Sequence, residues 1–392
     1  MTIGWRLSLL LDAARLSAAL IVFVYHASQI GALGDAQIVD NVGLASGARA
    51  HLAVVVFFVL SGFLIAHVVD KPSVTWRTFA VDRFGRLSSV VVPGLLLTAL
   101  VMLLMWWCAP DMYGQLVPAD LQWLRLLINS LYLQQIWFVC VVPGFNNPFW
   151  SLGYEFWYYV LFSVFTFWRR GAGRWLMLAG LALLVGPKVM LLFPTWMMGA
   201  FARQMVPRSR SHVNRVALLA VFAVAASLSL AGLLFAGAIP GWSHQIGQAP
   251  WYYSANYLVD TGFGCVLALA LWAFASLDTA NADTAFNGCS VVARAVSRAA
   301  AITFSLYLFH QPLLHLLAAS GFTRADSTFS FVVALAITLL LTALLAHVTE
   351  RKVRTWRGWV AIGLSWLERR VSRARLRVRR LERIHSTREV DT

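Results

Sequence analysis

The stretch HLAVVVFFVLSGFLIAHVV, residues 51–69, contains no Asp, Glu, Lys or Arg. A helix of that length reaches about 28 Å, close to the roughly 30 Å hydrocarbon core of a bilayer. Valine, leucine and phenylalanine occupy every face of it, so no side is left for water. Its surroundings must be lipid or other apolar helices. The rest of the chain has the same character. Of 392 residues, 59% are hydrophobic and 12% charged, against roughly 25% charged in a soluble domain. With a mean hydropathy of +0.69, folding alone cannot hide this chain from water.

Further apolar runs of spanning length lie at 7–30, 89–108, 150–168, 213–235, 254–275, 300–320 and 330–349. Two shorter runs, 175–190 and 192–205, are broken by Pro187, Lys188 and Pro194. The run 124–141 is a separate case. Counted as a span, it would place Arg169, Arg170 and Arg174 outside, against the cytoplasmic bias of basic residues. It is therefore read as re-entrant or interfacial. The sequence thus predicts an all-α integral membrane protein of about ten transmembrane helices with both termini cytoplasmic. Lys71, Arg77, Arg83 and Arg86 lie inside in this map, as does the Arg203–Arg215 connection. Asp111, Asp120 and the uncharged 236–253 stretch lie outside.

Residues 1–350 read as the transmembrane domain and 351–392 as a basic cytoplasmic tail. From Ser365 to Ile384 the tail carries Arg369, Arg370, Arg373, Arg375, Arg377, Arg379, Arg380 and Arg383, with Leu367, Val371, Val378 and Leu381 as an apolar stripe. That pattern suits an amphipathic helix on anionic lipid. A net charge of +15 would suggest nucleic acid in a soluble protein. Placed between apolar runs and in the tail, it reads as a topology signal, and no nucleic-acid partner is expected. Cys108, Cys140, Cys265 and Cys289 are scattered, so no zinc site or disulfide framework is expected. The first run retains Asp12, Arg15 and His26 and lacks a small-residue cleavage site, which marks a retained helix.

Charge at membrane depth is costly and commonly serves a site inside the bundle. Asp12 and Arg15, three residues apart, share a helix face and can pair. His26 lies about three turns further on, roughly 16 Å along the same face. Glu155, near the start of the 150–168 run, and His310, in the outward-running 300–320 run, map with His26 to one outer depth. His315 reads as interfacial. Imidazole titrates near neutrality, which suits proton transfer. On the inner side, Arg83 and Arg86 precede the third run, and two guanidinia three apart can grip phosphate oxygens.

Together these blocks resemble membrane acyltransferase family 3, the polytopic O-acyltransferases of bacterial surface sugars. Arg15 through His26 is similar to that family's Arg-x10-His signature, and Phe57 through Phe63 to its Phe-Phe-x-Leu-Ser-Gly-Phe segment. Arg83-Phe84-Gly85-Arg86 resembles its Arg-x-x-Arg. Trp150-Ser151-Leu152 with Glu155 and Tyr158 resembles its Trp-Ser-Leu-x-x-Glu-x-x-Tyr block, and Ser305 through Pro312 its Ser-Leu-Tyr-Leu-x-His-x-Pro helix. Trp157 departs from the family's usual Phe. Glu350 is followed by Arg351-Lys352 where relatives often show Glu-x-Pro, a difference read as remote from the chemistry. Without the hydrolase-like domain fused to some relatives, the chain reads as a stand-alone member.

The resemblance implies an acyl-CoA donor, usually acetyl-CoA, with no metal, and an acceptor hydroxyl on a glycan or lipid-linked sugar. The short loops and the lack of a soluble domain suit a bacterial inner membrane. Arg83 and Arg86 would hold the nucleotide phosphates and Arg15, held by Asp12, would steady the thioester or the cofactor. His26 would act as general base or acyl carrier. Glu155 would orient His26 or bind the sugar, and His310 would be a second proton-transfer group. Ser61 and Tyr158 read as structural support, Ser61 as a small residue for close packing. The competing class is a proton-coupled transporter of a sugar or lipid-linked intermediate, for which no inverted repeat is visible.

Overall fold

The computed structural model describes residues 3–34, 36, 37, 39, 46–207, 214–236, 246–280, 291–323 and 327–388, with side chains to Arg370. The tail side chains from Val371 onward, residues 208–213 of the Arg203–Arg215 connection, residues 237–245 of the 236–253 stretch and Cys289 lie outside the described residues. All regular structure among the described residues is helical. The helices are α1 Trp5–Ser28, α2 Gly47–Val69, α3 Trp76–Cys108, α4 Pro110–Leu116, α5 Gln122–Ser130, α6 Trp150–Phe167 and α7 Ala172–Val185. They continue with α8 Pro187–Gln204, α9 Arg215–Phe235, α10 Tyr257–Ala280, α11 Val291–Ala300, α12 Thr303–Ala319, α13 Thr328–Val348 and α14 Val353–Arg388.

Six stretches are long and apolar enough to cross a membrane: α1, α2, α3, α9, α10 and the one that begins with α13. The α11–α12 pair, bent by 58°, makes a seventh if taken as one span. The 150–168, 175–190 and 192–205 runs appear as α6, α7 and α8, which are shorter or more polar. The expected break at Pro187 is displaced to Gly186, and Pro187 opens α8, where its missing N–H has no intrahelical partner to lose. Pro194 lies within α8 and does not end it. The third helix also starts earlier than its apolar run. It is continuous from Trp76, so Arg83 and Arg86 stand on its first turns and not in the preceding connection.

α2 sits at the centre, against α1, α8 and α10. Lipid offers apolar helices no hydrophobic drive to associate, so close backbone approach supplies the contact. Two glycines make that approach reciprocally. A Cβ on Gly62 would lie 2.0 Å from the Trp196 carbonyl oxygen, and one on Gly199 would lie 1.9 Å from that of Val59.

The 124–141 segment contains only the nine-residue α5, about 13.5 Å long and too short to cross as a helix. Beyond it the chain is irregular and packs at the bundle end where α6 and α8 begin. Gln134 donates to the Phe149 carbonyl at 3.1 Å, Trp137 N–H to Val185 at 2.8 Å, and the buried Lys188 ammonium to Val139. Asn146 supplies the tie to α12. Pro312 lacks the N–H that would bond the Leu308 carbonyl, and the Asn146 amide takes its place at 3.1 Å while also donating to Thr98 of α3 at 2.9 Å.

Enlarging Gly199 to valine should force α2 and α8 apart at an overpacking cost of about 3 kcal/mol. A thermal melt of the detergent-solubilised protein checks this; an unchanged midpoint would show that the crossing is not tight.

Candidate active site

Polar side chains gather at two levels. The first lies in the half of the bundle where α1 begins. A cavity of about 120 Å³ is lined there by Arg15, Arg83, Arg86, Ser61, Glu155 and Tyr159, among apolar groups. Arg15 pairs with Asp12 one turn earlier, and Asp12 accepts a further bond from Ser297 at 2.8 Å. Arg86 lies 3.4 Å from Glu350. Glu350 is buried, and it also accepts from the backbone N–H and hydroxyl of Ser305 at 3.1 and 2.8 Å. A carboxylate therefore caps the start of α12, where N–H groups have no intrahelical acceptor.

Arg83 differs from these. Among the described residues it has no carboxylate within ion-pair distance, and its buried Nε has no hydrogen-bond partner. A guanidinium without a carboxylate partner beside a cavity has the chemistry to receive an anion, because burial without a partner is costly.

Glu155 and Tyr159, four apart on α6, share a face, and both Tyr159 and Ser61 donate to the same Glu155 oxygen, Ser61 at 2.9 Å. Trp196 donates to Ser61 at 3.2 Å. Ser61 is thus a polar link to Glu155, and the close packing read for it falls to its neighbour Gly62. Glu155 belongs to the arginine level. It lines that cavity, as neither His26 nor His310 does, and no hydrogen bond joins it to either, so the structure does not bring the three together. Tyr158 supports the fold from inside, donating to the Val189 carbonyl at 2.9 Å.

The second level holds the histidines. His26 Nδ1 and His310 Nε2 are 2.9 Å apart, and the rings stack with centroids at 5.1 Å. His310 Nδ1 lies 2.7 Å from the Leu306 carbonyl. A carbonyl only accepts, so Nδ1 of His310 carries the hydrogen, and in a neutral ring Nε2 is left as an acceptor. His26 then donates from Nδ1, and its Nε2 keeps a free lone pair. His315, read as interfacial, is instead buried against Phe145 at 4.6 Å.

The histidines do not line the cavity. Its boundary toward them is formed by Phe57 and Tyr307, in edge contact at 5.8 Å. The Tyr307 hydroxyl is within 2.9 Å of Ser151, and Tyr307 lies one turn before His310.

Sequence reasoning missed Glu350. It was read as remote from the chemistry, yet it holds Arg86 and the start of α12 together. The available signal was a carboxylate at the end of a long apolar run with no partner nearby in sequence. Tyr159 was passed over because an aromatic among aromatics reads as packing. No group of three or more His, Cys, Asp or Glu suited to a metal occurs among the described residues.

An all-helical bundle with cavity-facing guanidinia at one level and coupled imidazoles at the next defines a multi-pass membrane protein with a polar interior site. The profile of the acyltransferase domain of family 3 matches residues 9–347, and the chain belongs to that membrane acyltransferase family. Membership of that family counts against the transporter alternative. Similarity extends to "Acyltransferase MdmB" of Streptomyces mycarofaciens, 32% identical over 163 residues, which are 41% of this chain and 38% of that protein. The chain thus spans well under half the length of that relative. No solved structure matches the chain.

Replacing Glu350 by alanine would leave Arg86 unpaired and the Ser305 donors unanswered. Arg86 is half-exposed, so the expected loss of about 1–3 kcal/mol comes mainly from the Ser305 donors; it is read as a lower melting midpoint, with Glu350→Gln less affected because its amide oxygen still accepts from Ser305.

Proposed function

We propose that the protein moves an acetyl group from cytoplasmic acetyl-CoA to a hydroxyl of a surface glycan, exopolysaccharide or lipid-linked sugar precursor, in a bacterial inner membrane. The reading takes the ten helices α1–α3, α6–α10, α12 and α13 as spans with both termini in the cytoplasm. Arg83, Arg86 and Arg15 then face the cytoplasmic half and the histidine pair the outer half. The basic tail of α14 lies toward anionic lipid at the cytoplasmic surface.

The observation that carries the reading is the directed sequence Leu306 carbonyl, His310, His26, which leaves a lone pair on His26 Nε2. Arg83, free of carboxylates, binds the phosphates of the donor, with Arg86 beside it. Arg15, fixed by Asp12, steadies the cofactor as it enters the cavity. The pantetheine arm enters the cavity and passes Phe57 and Tyr307 to bring the thioester to the imidazoles. Nε2 of His26 removes the proton of the acceptor hydroxyl as its oxygen attacks the thioester carbon. The carbon–sulfur bond breaks, and the CoA thiolate takes that proton back from the imidazolium. His310 orients His26 through Nδ1 and shares the transient charge. Glu155, held by Ser61 and Tyr159, sets the cavity wall and does not touch His26.

Membranes containing the protein, given labelled acetyl-CoA and the host glycan fraction, test this. His26→Ala should lower label transfer by about 10²–10⁴-fold at normal insertion. Arg83→Ala should raise the half-saturating acetyl-CoA concentration. Full transfer by a folded His26→Ala protein would remove the histidine from the mechanism.

A further inference from the structure

The C-terminal segment reads from sequence as a surface-lying tail, yet the first half of α14 packs along the start of α3. The two helices run antiparallel. Arg77 donates to Ser365 at 2.6 Å and lies 3.5 Å from Glu368, while Arg357 lies 3.1 Å from Asp82. These contacts lead up to the turn that carries Arg83 and Arg86 from its N-terminal side.

Gly85, between those two arginines, shows why the helices approach so closely. A Cβ there would meet Arg357 at 2.7 Å from Cγ, 2.9 Å from Cα and 3.1 Å from N. Glycine within a helix costs about 1 kcal/mol relative to alanine, and here it leaves the space in which the α14 backbone sits.

We propose that α14 is part of the donor site and that Arg357 is a positioning residue for Arg83. This rests on the reading that Arg83 and Arg86 bind the phosphates of an acyl-CoA. Asp82 is the carboxylate next to Arg83 in the chain, and its charge is felt by Arg83. By engaging Asp82, Arg357 supplies the cation for that carboxylate from another helix. The Arg83 fork is left for the ligand. The crossing at Gly85 fixes the same turn from behind, so the direction of Arg83 into the cavity depends on how α14 is seated. Asp12 does the equivalent for Arg15 and Glu350 for Arg86, each through a direct pair; Arg83 has its carboxylate taken away.

The test uses the full-length protein in nanodiscs with CoA as the probe, binding measured by calorimetry and insertion and melting measured alongside. Arg357→Asp, which puts two carboxylates beside Arg83, should weaken CoA binding about tenfold, the scale of a coupled neighbour pair. Gly85→Ala should do the same by displacing α14. The exchange Asp82→Arg with Arg357→Asp should restore binding to within about threefold, since the pair is re-formed with its sense reversed. A role confined to anchoring the tail predicts lower melting midpoints with CoA affinity unchanged. CoA affinity within twofold of the parent in both Arg357→Asp and Gly85→Ala would overturn the proposal. So would an exchange variant that regains its melting midpoint but not its affinity. Failure of the unaltered protein to bind CoA would instead overturn the donor reading itself.

Discussion

Inside a bilayer no water is at hand to answer a polar atom, so each must find its partner within the protein. α12 shows how much follows from that constraint. The Ser305 N–H in its first turn is answered by the Glu350 carboxylate, and the carbonyl that Pro312 leaves free is answered by Asn146. Gln311 accepts from the backbone of Asn147 at 2.8 Å. With the helix held at its start and middle, the Leu306 carbonyl is fixed where His310 Nδ1 must donate to it. That donation decides the tautomer of His310, which in turn decides that of His26. The one nitrogen left with a free lone pair is set by a run of bonds beginning at an asparagine and a carboxylate in other segments.

The same constraint separates the two polar levels. Glu155 is satisfied by Ser61 and Tyr159, close to the guanidinia and away from the imidazoles. Had it paired with His26, the imidazole would have acquired a fixed partner and a stabilised charge. Instead His26 faces another imidazole, which leaves both rings neutral in the network drawn by their bonds. Phe57 and Tyr307 stand between the levels, and the Tyr307 hydroxyl is answered by Ser151, so the boundary is itself satisfied.

The sequence announced its long helices because an uninterrupted apolar run of about 20 residues admits few other readings. The Asp12–Arg15 pair was equally open to view, since two residues three apart must share a face. The His26–His310 bond was suggested only by inferred depth, and depth did not suffice for Glu155, because counting residues from a helix start does not say which neighbour the side chain meets. Glu350 was illegible for a related reason. Its partners, Arg86 and Ser305, are 264 and 45 residues away, and nothing local marks a carboxylate that caps a helix from another segment. The docking of α14 depended on Gly85, where the absence of a side chain is the signal, and an absence has no period to detect.

The three arginines of the cavity show how that constraint becomes function. A buried guanidinium without a partner is destabilising, and one that is paired is restrained. Arg15 and Arg86 are paired with carboxylates and so can shape the cavity's potential with little freedom to follow a ligand. Arg83 bears the unpaired cost, reduced because it borders open space and is only partly dehydrated. An anion entering that space would recover what the fold gives up at Arg83, and the recovered energy would appear as binding. Full pairing of all three would have produced a more stable bundle with a weaker claim on any phosphate. On the proposed reading, two charges fixed by carboxylates keep the shape and field of the site, and the charge without one answers the ligand most directly.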